Sequence, residues 1–249
     1  MRVQILSDIH YDHGGLTPSI SKKSDVVVIA GDISNGGSSI SKYFSYLHNS
    51  TTVPIVIVLG NHDYYSKRRK FTFSEAVEFY KDKASSFSNI HILEKETFDL
   101  DGIRFMGTTL WTDYDKGRDI TAASISMPCF THIYKDKSLI SAYDVIEEHS
   151  KCVSFIDSSI SKNMKNIVIT HHVPTFSFIS DKYIGSPLNG AFCSELSTLI
   201  LDKSPDLWIC GHTHDCFTGQ IGKCMLYCNP WGYPFERKNG FINELLVDI

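Results

Sequence analysis

Pro54-Ile-Val-Ile-Val-Leu59-Gly60-Asn61-His62-Asp63 passes from a run of apolar, mostly β-branched residues to a glycine and then to side chains that bind metals. Residues 54–59 show no polar alternation and are too few for a helix, so they predict an interior strand covered on both faces. Gly60 reads as the point where the chain turns sharply, using backbone conformations closed to other residues. Open α/β sheets bind ligands at the carboxyl ends of their strands, which is where Asn61 and His62 stand.

The pattern recurs along the chain. Residues 2–7 and 26–30 read as buried strands ending at Asp8 and at Gly31-Asp32, Ile167-Val-Ile-Thr170 ends at His171-His172, and Leu207-Trp-Ile-Cys210 ends at Gly211-His212-Thr213-His214. Helical spacing fills the intervals. It begins near Ser38 and Ser39 with Ile40, Tyr43, Phe44 and Leu47 on one face, and continues over 73–87 behind a Thr72/Glu75 capping box. A helix over 142–161 turns Ala142, Val145, Ile146, His149, Val153, Ile156 and Ile160 inward, and a short one follows near 193–202. Further strands are expected at 90–93 and 103–107, joined through Asp99-Leu-Asp101-Gly102, and at 224–228 and 241–248. Strands alternating with helices predict an α/β domain with a largely parallel core and a mixed or doubled sheet. No Pro/Gly/Ser-rich linker divides it, so residues 1–249 are expected to form a single domain with irregular, lid-like insertions near 112–140 and 173–191.

The 249 residues are 42% hydrophobic, enough for a sizeable core. Lys plus Arg number 24 against 28 for Asp plus Glu, and the net charge of −4 argues against a grip on long nucleic acid through phosphate contacts. The amino terminus runs straight into a strand and no run approaches ~18 apolar residues, so a soluble, cytoplasmic protein without a membrane span is expected. Seven cysteines without a CxxC pair suit reduced, buried thiols, Cys224 and Cys228 included.

The strand ends offer Asp8 with His10, Asp32, Asn61 with His62, His171, and His212 with His214. On an extended backbone, residues two apart point to the same side. Imidazole nitrogen with carboxylate and amide oxygen, and no thiolate, suits Mn, Fe, Zn, Co or Ni. Seven ligands are too many for one such ion and fit two that share a carboxylate.

In order and in position, Asp8-x-His10, Gly31-Asp32, Gly60-Asn61-His62-Asp63, His171 and Gly211-His212-x-His214 resemble the motif set of the calcineurin-like metallophosphoesterases. The resemblance spans residues 8–214 and implies a sandwich of two mixed β-sheets flanked by helices. It implies a hydrolase of phosphoric esters, phosphodiesterase or phosphomonoesterase, that uses a metal-bound hydroxide at a two-metal site. Asp8, His10, Asp32 and His214 would hold the first ion, Asp32 would bridge, and Asn61, His171 and His212 would complete the second. His171 is chosen over His172 because it immediately follows the buried strand. His62 matches the family's catalytic histidine, which is no ligand and protonates the leaving oxygen or stabilises charge; an ordinary pKa of ~6.5 suits that work. Asp63 joins it as a catalytic candidate, either orienting His62 or capping a turn.

The segment Gly31-Asp-Ile-Ser-Asn-Gly36 lacks the aspartate and arginine of the GDxxDRG motif of protein serine/threonine phosphatases, which counts against a phosphoprotein substrate. Small-molecule or nucleotide esters are expected ahead of nuclease activity. A non-catalytic scaffold on the same fold, as in a retromer-type subunit, should lack ligands or the catalytic histidine, and this chain has them all. Tyr11, His13, Tyr64 and Tyr65 read as rim contacts, Trp111 and His149 as core or core-edge residues, and Lys67-Arg68-Arg69-Lys70 as a solvated loop.

Overall fold

A strand that is apolar at every position must be covered on both faces. The computed structural model describes residues 1–35, 39–66, 70–236 and 239–249. It runs through β1 (Arg2–Leu6), β2 (Val26–Ala30), α1 (Ser39–Ser50), β3 (Ile55–Val58), α2 (Ala76–Ala84), β4 (Ile90–Ile92), β5 (Glu96–Leu100) and β6 (Ile103–Thr108). After α3 (Ile120–Ser126), α4 (Cys129–His132) and the small hairpin β7–β8 (Tyr134–Lys135, Ser138–Leu139) come α5 (Ala142–Ser159) and β9 (Lys165–Thr170). The chain closes with α6 (Ser197–Lys203), β10 (Leu207–Cys210), β11 (Phe217–Ile221), β12 (Cys224–Cys228) and β13 (Leu246–Asp248).

One sheet has the order β13-β1-β2-β3-β4, with β1 to β4 parallel and β13 antiparallel at the edge. The other has the order β11-β12-β10-β9-β6-β5, parallel in the middle and antiparallel at both edges. Alternate residues explain the absence of a polar face. Val26 and Val28 of β2 meet Phe105, Ile167 and Ile209 of the opposite sheet, while Val27 and Ile29 pack under Tyr43 and Phe44 of α1 and Tyr80 of α2. On the far side, Val168, Trp208 and Leu226 are covered by Cys152 and Ile156 of α5 and Ile200 of α6. Two mixed sheets between helical layers are the α/β sandwich that the resemblance implied.

Several local expectations differ. The helix expected over 73–87 starts at Ala76, because Glu75 reaches back to the Thr72 N–H (2.8 Å) and accepts from the Thr72 hydroxyl (2.9 Å), so that hydroxyl does not cap the helix. β4 and β6 lie in different sheets, and the Asp101-Gly102 turn joins β6 to β5, a half-exposed edge strand without clean alternation. β11 was hidden for the same reason, and the strand expected over 241–248 shrinks to β13. Trp111 is a core residue packed on Tyr64 and Phe73, and the buried His149 ring bonds the Trp111 carbonyl. Tyr11 and Tyr64 are buried in the same cluster and are not rim contacts. Of the basic run only Lys70, which is exposed, lies within the described residues; Ser38 also lies outside them. Among the described residues no helix is long and apolar enough to cross a membrane.

Candidate metal centre

Asp8, Asp32 and Asn61 follow β1, β2 and β3, while His171, His212 and His214 follow β9 and β10, so the ligating types sit where the carboxyl ends of both sheets meet. Hydrogen bonds stitch the ends together. The His171 Nδ1–H donates to the Ala30 carbonyl (2.9 Å), the Gly211 N–H to the His171 carbonyl (2.9 Å), and the His212 N–H to both oxygens of Asp8 (3.1 Å each).

The extended backbone expected for the paired ligands is not what the structure has. Asp8, His10, Asp32, His212 and His214 have φ of 52°, 45°, 53°, 71° and 54°, in the left-handed region that costs a side chain about 1 kcal/mol or more each. Asp8 and His10 are held there by N–H bonds to the carbonyls of Gly31 (2.9 Å) and Asp32 (3.0 Å). Convergence therefore comes from strained turns, not strand alternation. Gly60 also acts differently from the expectation, since its φ of −104° is open to any residue. Its need is space: a Cβ there would lie 2.2 Å from Asp32 Oδ1.

Asp32 stands between two sets of nitrogens. On one side His10 Nε2 is 3.8 Å from Asp32 Oδ2 and 3.0 Å from His214 Nε2, which is 3.3 Å from Asp8 Oδ1. On the other, His171 Nε2 lies 3.4 Å from Asp32 Oδ1, 3.0 Å from Asn61 Oδ1 and 3.2 Å from His212 Nδ1. The ligand atoms of Asp8, His10, Asp32 and His214 all fall within 4.8 Å of one another, as do those of Asp32, His171 and His212. Imidazole nitrogens converging beside buried carboxylates form a donor set that, once the Nε2 protons are lost, fits a transition-metal ion. The second contacts agree with this. His171 and His214 each commit Nδ1–H outward, His214 to Glu236 Oε2 at 2.7 Å, which leaves Nε2 for the cluster. His172 points away, donating from Nδ1 to the Thr109 carbonyl (3.2 Å). A third group, Glu94 with Glu148 and Cys152, already has a cation, the Lys95 ammonium 3.0 Å from Glu94.

Burial works to raise both carboxylate pKa values, yet His214 holds Asp8 below the usual range and His171 with His62 holds Asp32 well below it. Conversely, burial opposes charge on His171 and His214, but Asp32 and Asp8 outweigh it and push each up to about 9. With each pushed up to about 9, both imidazoles carry a second proton at neutral pH, and a metal ion taken up at their Nε2 atoms would have to displace it. Apparent Mn affinity, measured against a competing chelator, is therefore expected to rise from pH 6 to about 9 and then level off; an affinity flat across that range would contradict the assignment of these two ligands.

His62 sits at the mouth of the cluster, 19% exposed, its N–H donating to Asp32 Oδ1 (2.8 Å) and its Nε2 4.0 Å from Asp32 Oδ2. Asn35 orients the ring. Its amide nitrogen donates to Asp12 Oδ2 (2.8 Å), which leaves Oδ1, 2.9 Å from His62 Nδ1, to accept the Nδ1–H. Asn35 stands three residues past Asp32, where residue type alone gives no sign of this contact. Asp63 does not orient His62. Its buried carboxylate accepts from the backbone N–H of Ile33 (3.1 Å), Ser34 (3.0 Å) and Gly60 (2.8 Å) and from the Tyr80 hydroxyl (2.9 Å), so it fastens the β2 and β3 turns together.

A cavity of about 500 Å³ opens over Asp32 and His62. Both segments expected to be irregular reach it, Met127 and Pro128 from 112–140 and Lys182 and Tyr183 from 173–191, but the first is not irregular, since it carries α3, α4 and the β7–β8 hairpin. Tyr65 also lines it, its hydroxyl accepting from the Asn61 amide nitrogen (2.9 Å) and so turning Asn61 Oδ1 toward His171. Tyr233 and Glu236, from the segment after β12, complete the wall with no sequence signal to announce them.

The sequence pattern described as calcineurin-like phosphoesterase matches residues 1–216. A mimivirus relative, "Uncharacterized protein L509" of Acanthamoeba polyphaga mimivirus, is 29% identical over 241 residues, 89% of this chain and 85% of its own length. The crystal structure of phosphopantetheinyl hydrolase from Mycobacterium tuberculosis shares the fold with a TM-score of 0.77 at 13% identity, covering 99% of this chain and 95% of that one. Purple acid phosphatase PPD1 from yellow lupin seeds aligns with a TM-score of 0.51 at 16% identity over 92% of this chain and 43% of its own. The chain belongs to the calcineurin-like phosphoesterase family.

Proposed function

We propose that this member of the calcineurin-like phosphoesterase family hydrolyses small phosphoric esters, monoesters or diesters including nucleotides, with two transition-metal ions on either side of Asp32. One observation carries the reading: the two oxygens of a single buried aspartate face separate nitrogen sets, His10 with His214 and His171 with His212. Asp8, His10, Asp32 and His214 would hold one ion, and Asp32, Asn61, His171 and His212 the other, with Mn, Fe, Zn, Co or Ni suited to these donors. Bound there, the ions would supply Lewis-acid stabilisation of phosphoryl charge and acidify water at neutral pH.

The protein's own part is orientation. Asn35 fixes the His62 ring so that Nε2 faces the cavity, beside the position a leaving oxygen would take. A cavity of about 500 Å³ suits a small substrate. Seven free cysteines suit a reducing, cytoplasmic compartment.

The test is turnover by Mn-loaded protein of p-nitrophenyl phosphate, bis-p-nitrophenyl phosphate, cyclic nucleotides and single-stranded DNA. Phosphopantetheinyl esters join the panel because of the fold shared with the mycobacterial hydrolase. Hydrolysis of small esters with the DNA left intact is expected. Inertness toward every ester, with bound metal verified, would contradict an enzyme.

A further inference from the structure

The segment between β12 and β13 adds chemistry that the matched residues 1–216 do not contain. It is pinned to the first ligand-bearing strand end by backbone bonds, Trp231 N–H to the Ser7 carbonyl and Gly232 N–H to the Asp8 carbonyl, both 2.9 Å. This anchoring carries the Tyr233 ring onto His10, stacked with centroids 4.3 Å apart and planes at 27°. The Tyr233 hydroxyl ends 3.4 Å from His62 Nε2. Since Asn35 Oδ1 takes the Nδ1–H of a neutral His62, Nε2 carries the lone pair and the tyrosine is the donor in that contact. Glu236 ties the arrangement together: one oxygen, Oε2, accepts from His214 Nδ1 (2.7 Å) and from the Tyr233 backbone N–H (3.0 Å).

We infer that Tyr233 is a catalytic residue, its O–H donating to a non-bridging oxygen of the bound phosphoryl group, and that Glu236 is a positioning residue for His214 and for Tyr233. The inference rests on the phosphoesterase reading above. On substrate binding the hydroxyl exchanges one acceptor, His62 Nε2, for another, the phosphoryl oxygen, and no proton changes owner. A donor already held beside the cluster needs little reorganisation as charge grows on that oxygen. Glu236 keeps His214 in the tautomer that offers Nε2 inward, as carboxylates do behind metal-binding histidines.

Three measurements on the full chain decide it. Tyr233→Phe retains the ring that covers His10 and removes only the hydroxyl. It is expected to lower kcat about 100-fold and to raise KM, with Mn content near wild type, and to weaken inorganic phosphate binding to the Mn-loaded protein in calorimetry. Glu236→Gln keeps the shape and loses the charge, and is expected to weaken Mn affinity about 10-fold, with activity recovering in excess Mn. Wild-type phosphate affinity and wild-type kcat in Tyr233→Phe would overturn the role of Tyr233, and wild-type Mn affinity in Glu236→Gln would overturn that of Glu236. Phosphate and Mn binding are read without turnover. If the wild type hydrolyses no ester while Tyr233→Phe still weakens phosphate binding, the hydrolase reading fails and the phosphoryl contact stands.

Discussion

His62→Ala is expected to lower turnover of small phosphoric esters by about three orders of magnitude while leaving the metal content unchanged. The two halves of that expectation come from different contacts. The imidazole lies at the cavity mouth with Nε2 4.0 Å from Asp32 Oδ2, outside both groups of converging ligand atoms, so removing it takes no donor from an ion. The bond from residue 62 to Asp32 Oδ1 is made by the backbone N–H (2.8 Å) and survives in alanine. What disappears is the ring that Asn35 aims at the cavity. Metal analysis and steady-state kinetics on the same preparation separate the outcomes. Unchanged kcat would remove His62 from the mechanism, and lost metal would make it a ligand.

Asp32→Ala is expected to act on both quantities at once, with bound metal falling by more than half and activity by about 10³-fold or more. Asp32 is fully buried and faces His10 and His171 with different oxygens, so its loss opens both ligand sets. It also removes the charge that holds a proton on His171 against burial, so two neighbouring imidazoles are left without their counterion. Asp32→Asn, which keeps the volume and the acceptor for the His62 N–H, separates charge from shape: it should retain the fold and still lose metal. Full metal content in Asp32→Ala would undo the bridging role.

The layout of this site could be read from the residues because chemistry and burial both restrict residue type. A strand covered on both faces is built mainly of apolar residues, so β2, β3 and β10 and the Ile167–Ile169 run of β9 announce where they stop, and Asp32, Asn61, His212 and His171 follow within three residues of those stops. Edge strands obey no such rule. β5 and β11 mix half-buried and exposed positions, and neither was legible. Asp63 shows another limit. It adjoins His62 in sequence, but both lie on a 3-10 turn over Asn61–Tyr64, where consecutive side chains diverge by about 120°. One reaches the cavity mouth and the other the backbone of the β2 turn. Tyr233 and Glu236 depend on pairing between the segment after β12 and Ser7 and Asp8 at the other end of the chain, a register that no local pattern encodes.

The most direct measurement is anomalous scattering at the Mn edge from crystals of the Mn-loaded protein. Two peaks about 3.5–4 Å apart are expected, one toward His10 and His214 and the other toward His171 and His212, with Asp32 touching both. A single peak, or a pair of which Asp32 touches only one, would contradict a two-ion centre bridged by this aspartate.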